Sequence, residues 1–207
     1  MSTQPGGLTT LRMKVVTTFV RRVIVLVRSL EDDRSDFPLP SGLRLAILDG
    51  LDATDLAAYR ALRPDESAGL LDTRFAQGDR CFAVLTGRRM VHATWASPAC
   101  APLPYLAADA ALENGDVCLY DSFTDRAWRG RDLSRSRDEL CRRHYRSLGM
   151  LRTLAFIARE NTSGLRTAAP LGYRAIGEYG LVRLGPLHHR WSTTSGAERL
   201  PRLVART

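Results

Sequence analysis

Residues 116–158 constrain the fold of this chain more than any other stretch. DVCLYDSFT (Asp116–Thr124) alternates and is rich in residues that favour strands. A basic turn, Asp125–Arg131, follows it. A helix then runs from about Asp132 to Leu148 and stops at Gly149, a residue suited to a helix end. RTLAFIA (Arg152–Ala158) is a strand again. A chain that passes from strand to helix to strand in this way packs helices on a sheet.

The flanking segments extend the pattern. Residues 19–28 read as a strand rich in Val and Ile, and 31–42 (EDDRSDFPLPSG) as a charged, proline-rich linker. Leu43–Leu48 is a strand. Asp52 starts a helix with Leu56, Tyr59 and Leu62 on one face. Pro64, Asp65 and Glu66 suit the first turn of a second helix, with Leu70, Leu71 and Phe75 inward and Gly78 as its stop. Cys81–Leu85 and Met90–Ala96 form a hairpin turning at Gly87-Arg88. Three prolines make 97–114 read as loop. Asn161–Ala168 is a short helix closed by Pro170. Arg174–Glu178 and Gly180–Leu184 read as a terminal hairpin, and residues 1–11 and 186–207 as loose ends.

Composition narrows the chemistry. Of 30 basic residues only Lys14 is a lysine, so the other 29 are arginine. Val15 follows Lys14, which excludes the Gly-Lys-Ser/Thr of a phosphate-binding P-loop. The net charge of +8 suggests nucleic acid only weakly, because no nucleic-acid motif accompanies it and aromatic residues are 7%. Cys81, Cys100, Cys118 and Cys141 form no CxxC and have no histidine at ligand spacing, so no metal is expected. They make no disulfide framework either, which points to a reducing cytoplasm. The twin arginine Arg21-Arg22 precedes an apolar run of five residues, too short for a signal or a membrane span.

Two segments carry a resemblance. Trp128-Arg129-Gly130-Arg131-Asp132-Leu133-Ser134 opens the long helix, and Asn161 is followed by a short helix and Leu171-Gly172-Tyr173. Together, and in this order, they resemble the acetyl-CoA loop and closing segment of the GNAT-type N-acetyltransferase superfamily, over about residues 43–184. The resemblance implies an α+β fold of three layers, a mixed and mostly antiparallel twisted sheet flanked by helices, here with an extra N-terminal strand. It divides the chain into an N-terminal strand and linker (1–42), an acyl-CoA-binding domain (43–185) and a tail (186–207). It implies acetyl-CoA as co-substrate and a small-molecule or peptide amine as acceptor, and leaves a homodimer open.

The physics of the loop stands beside the family name. A helix N-terminus carries about half a unit of positive charge and free N–H groups, which suits a pyrophosphate. Arg129, Gly130, Arg131, Leu133, Ser134 and Arg135 are the candidates to hold it, and the solvated basic turn is the plainer alternative. By resemblance, Phe123 and Thr124 border the pantetheine, and Asn161 bonds the cofactor or caps its own helix. The sequence departs from the family where Asp132 and Ser134 replace glycines. It departs again where Ala168 stands in the place of the tyrosine that protonates the departing thiolate. Those departures also suit a catalytically weak CoA-binding relative. Asp121 and Tyr120 are the candidates for proton transfer, or else structural groups in the core. They are expected on opposite faces of their strand. His92 reads as a half-buried structural histidine, and His144 as surface.

Overall fold

A computed structural model describes residues 18–31, 39–184 and 186–205. Lys14, the N-terminal residues 1–11 and most of the proline-rich linker lie outside the described residues.

The main sheet has eight strands. In chain order they are β1 (Thr18–Ser29), β2 (Leu43–Leu48), β3 (Arg80–Thr86), β4 (Arg89–Ser97), β7 (Asp116–Thr124), β8 (Arg152–Ala158), β9 (Arg174–Leu184) and β10 (Leu187–Thr194). Their spatial order is β10-β9-β1-β8-β7-β4-β3-β2. Neighbours are antiparallel except β7 and β8, which run parallel because α3 (Leu133–Ser147) crosses between them. The first strand thus lies between two later ones, β8 and β9. That position explains its near-unbroken apolar run. Val25, Leu26 and Val27 are all buried, so β1 is covered on both faces.

One face of the sheet carries α3 and the short α4 (Thr162–Ala168). There Cys141 and Tyr145 pack on Phe82, Val117 and Leu119. The opposite face carries α1 (Ala53–Leu62) and α2 (Ala68–Ala76), with Tyr59, Leu62 and Leu71 against Cys81 and Trp95. Further along that face a second sheet, β11-β6-β5, covers Val23, Val25 and Val27. Its strands are β5 (Cys100–Leu103), β6 (Ala108–Ala111) and β11 (Arg202–Ala205).

Several expectations are corrected. The second helix starts at Ala68, not at Pro64, because Ser67 caps it by accepting from the Leu70 amide at 3.3 Å. Leu70 is 39% exposed, and Leu71 alone of that pair points inward. The presumed loop 97–114 contains β5 and β6. Pro102 lies in β5, which forms an edge of its sheet, where a missing N–H is tolerated. Arg174–Leu184 is one strand, and its hairpin partner is β10. The supposed tail 186–207 therefore supplies two strands, β10 and β11. Gly180 lies within β9. The indole of Trp191, its cross-strand partner on β10, lies where a Cβ would stand.

Candidate active site

The site begins where β7 and β8 part. They pair from Asp116–Arg152 to Leu119–Ala155, and no further ladder pair follows. Beyond that point their ends border a cleft of about 1000 Å³, whose far wall is the start of α3 and the length of α4. Tyr120, Asp121, Phe123, Thr124, Arg129, Gly130, Arg131, Leu133, Ser134, Arg135 and Asn161 all line it.

A bulge sets the faces of β7. Between Tyr120–Trp95 and Phe123–Ala93 the strand has one residue more than β4, and Asp121 takes φ +47°. The expected alternation fails there. Val117 and Leu119 face α3, but Phe123 packs with Tyr120 toward α1 and α2. Ser122 and Thr124 turn the other way, to Thr94 and His92. Tyr120 and Asp121 also end on the same side. The Arg74 guanidinium lies 5.2 Å from the Tyr120 ring and 2.8 Å from Asp121 Oδ2.

Both proton-transfer candidates are held by partners. Asp121 meets Arg74 and also Arg63, at 3.0 Å. Burial opposes its charge, but bonding with Glu66 and the two guanidinia outweigh it and keep its carboxyl below the ordinary carboxylate value. Tyr120 donates its hydroxyl proton to Asp79. Burial, reinforced by that carboxylate, pushes its pKa up, so it stays protonated.

At the other end of the cleft the helix starts differ from one another. Asp52, Ser67 and Asn161 cap α1, α2 and α4 with their side chains. Asn161 Oδ1 accepts from the Gly164 amide at 2.9 Å, so its oxygen serves its own helix. Asp132 holds the N-cap position of α3 at φ +54° and makes no such bond. The first amides of α3 are therefore not covered by their own cap, and the cleft reaches Leu133 and Ser134. Gly130, at φ +76°, turns the chain into this start. Arg131 lies 4.6 Å over the Trp128 ring, and Arg129 Nε donates to the Thr124 carbonyl at 3.3 Å.

A buried polar chain underlies the cleft, and sequence reasoning missed most of it. Arg28 pairs with Asp138, which also meets Arg137 at 3.3 Å and accepts from the Tyr173 hydroxyl at 3.1 Å. Arg137 Nε donates to His92 Nε2 at 3.3 Å, so the His92 proton is assigned to Nδ1, 2.8 Å from Thr124 Oγ1. His92 is fully rather than half buried, and burial followed by the Arg137 charge lowers its pKa to about 3. A signal for Arg137 was present: Leu133, Cys141 and Tyr145 form a buried stripe at four-residue spacing that passes through position 137. His144 is not a free surface residue either, since its ring packs edge-on against Phe82.

No protein-family model and no curated protein matches the sequence. Solved structures match the fold. A GCN5-related N-acetyltransferase from Sphaerobacter thermophilus is similar at TM-score 0.55 and 14% identity, over 87% of this chain and 54% of that one. Another from Kribbella flavida gives 0.55 and 16%, over 82% and 60%. A GNAT-family protein from Novosphingobium aromaticivorans gives 0.53 and 17%, over 81% and 67%. The chain thus spans little more than half the length of the first two. The fold is the GNAT fold. Within it, β7 and β8 part where the cleft begins, and α3 starts at that cleft. Ala168 is buried and lines this cleft. No helix among the described residues is long and apolar enough to cross a membrane, and none of their side chains cluster as a metal site.

Proposed function

We propose that the protein is an acyl-CoA-dependent N-acyltransferase that moves an acetyl group to an amine. The observation that carries the reading is the cleft between parting parallel strands, with an uncapped helix start and arginines at one end and a carboxylate at the other. The residues fit a polyanionic thioester carrier. The amides at 131–134, with Arg129, Arg131 and Arg135, would hold its phosphates. The bulged end of β7, at Phe123 and Thr124, leaves backbone groups to border the pantetheine, beside Asn161. Acetyl-CoA supplies the activated acyl carbon. The chain orients the amine against it and receives the amine's proton at Asp121. Tyr120, already bonded to Asp79, walls the site rather than titrating.

Ala168 favours a second reading, a CoA-binding protein with weak or no turnover, because no side chain there can protonate the thiolate. Thermal unfolding with acetyl-CoA tests the shared part. At a hundred times the dissociation constant the ligand stabilises by about 2.7 kcal/mol. An unchanged unfolding temperature at millimolar ligand rejects both readings. Thiol release with a panel of amines then separates them.

A further inference from the structure

We propose that the acceptor is a free α-amino acid, its carboxylate bound by Arg63 and its amine by Asp121. This rests on the acyltransferase reading and names the acceptor for the same cleft.

Four charges alternate at the amine end. Arg63 and Arg74 each bridge Asp121 and Glu66, the Arg74–Glu66 contact being 3.3 Å. Aromatic rings fix both guanidinia: Phe123 lies 5.0 Å from Arg63, and Trp95 lies 4.8 Å from Arg74. Glu66 is held in turn by the Tyr59 hydroxyl, itself bonded to the Trp95 indole. The side chains of Arg74 and Glu66 are 11% and 9% exposed, against 25% for Arg63 and 20% for Asp121. The outward face of the cluster is thus one cation beside one anion, 3.0 Å apart. Both ion pairs of Arg63 use Nη2, and neither Nη1 nor Nε has a partner among the described residues.

A zwitterion matches this face by exchange. Its carboxylate takes the Nη1–Nη2 end of Arg63 as its ammonium takes Asp121, so no buried charge loses a partner. A simple amine takes Asp121 from Arg63, leaves that guanidinium with Glu66 alone and adds a positive charge that no carboxylate balances. The exchange also prepares the base. Arg63 is one of the cations that keep the Asp121 carboxyl low, and a substrate carboxylate neutralises it. In the step itself the ammonium gives one proton to Asp121, and the neutral nitrogen forms a C–N bond to the acyl carbon. The C–S bond breaks, the second nitrogen proton goes to the thiolate through solvent, and Asp121 returns its proton to water.

The test is calorimetric titration of the full-length chain, first with CoA and then, CoA-loaded, with each of the twenty common L-amino acids and its carboxamide. At least one amino acid is expected to bind tenfold or more tightly than its amide. Arg63→Gln should erase that ratio and Arg63→Lys, which keeps the charge but loses the Nη1–Nη2 end, should retain part of it. Thermal unfolding checks that both variants fold. Equal binding of acid and amide, no binding by any amino acid, or an unchanged ratio in Arg63→Gln overturns the inference. Failure of CoA to bind overturns the acyltransferase reading instead, and the amino-acid titration on the free protein then still decides this one. Thiol release from acetyl-CoA with the same pairs should favour the acid in kcat as well as KM.

Discussion

His92 has no exposure and accepts from a guanidinium, so it stays neutral in the folded protein. The unfolded chain protonates it at its ordinary value of 6.5, while the folded state does so only near 3. The folded pKa is depressed, so its contribution is intact above 6.5 and is lost as pH falls from 6.5 toward 3. The slope is about 1.4 kcal/mol per pH unit. Denaturant midpoints of the protein and of His92→Gln between pH 7.5 and 4 should converge as pH drops, because the variant lacks this proton uptake. Parallel curves contradict the assignment. Asp132 offers a second case. A non-glycine residue at φ +54° with no capping bond carries strain of about 1 kcal/mol. Asp132→Gly should raise the unfolding temperature by roughly 2–4 °C in a chain of this size. It should also keep or strengthen CoA binding, since it removes a carboxylate from beside the uncapped amides. Arg129→Ala should weaken CoA about tenfold by calorimetry, or about 1.4 kcal/mol.

At the scale of elements, the hairpin of β9 and β10 depends on Gly180 for a reason that turn rules do not supply. Any Cβ there meets Trp191, whose indole also lies 5.5 Å from the Arg22 guanidinium. Gly180→Ala should cost about 1–3 kcal/mol through overpacking. Trp191→Ala in the same chain should recover part of it, so a double-mutant cycle in urea should show coupling. Additive costs sink the explanation. Most elements were legible from local pattern: β2 runs from Leu43 to Leu48 as expected, and α3 differs by a residue at its ends. The errors came where a proline or glycine has a reason that lies elsewhere. Pro102 is tolerated because β5 is an edge, and Gly180 is needed because Trp191, its partner on a strand that local pattern did not show, lies across it.

At the scale of the whole molecule, the early strand holds the sheet together. β1 bonds β8 on one side and β9 on the other, and its valines carry the core under the second sheet. A chain beginning at residue 32 exposes two long bare strand edges and loses that core. It should fail to give a cooperative thermal transition by circular dichroism, whereas a merely decorative strand would leave one.

Sequence alone determined most of the strands and helices outside 97–114 and 174–207, and the basic turn before α3. Each of these follows from local periodicity, or from turn chemistry within a few residues. Tertiary structure alone decided that β1 enters between β8 and β9, that 187–194 joins the sheet, and that Asp121 meets Arg63 and Arg74. Backbone pairing and ion pairing join residues far apart in the chain, and local pattern carries no record of the partner. The bulge at Asp121 adds the last step: a single extra residue turns Phe123 to the opposite face, and only the register against β4 reveals it.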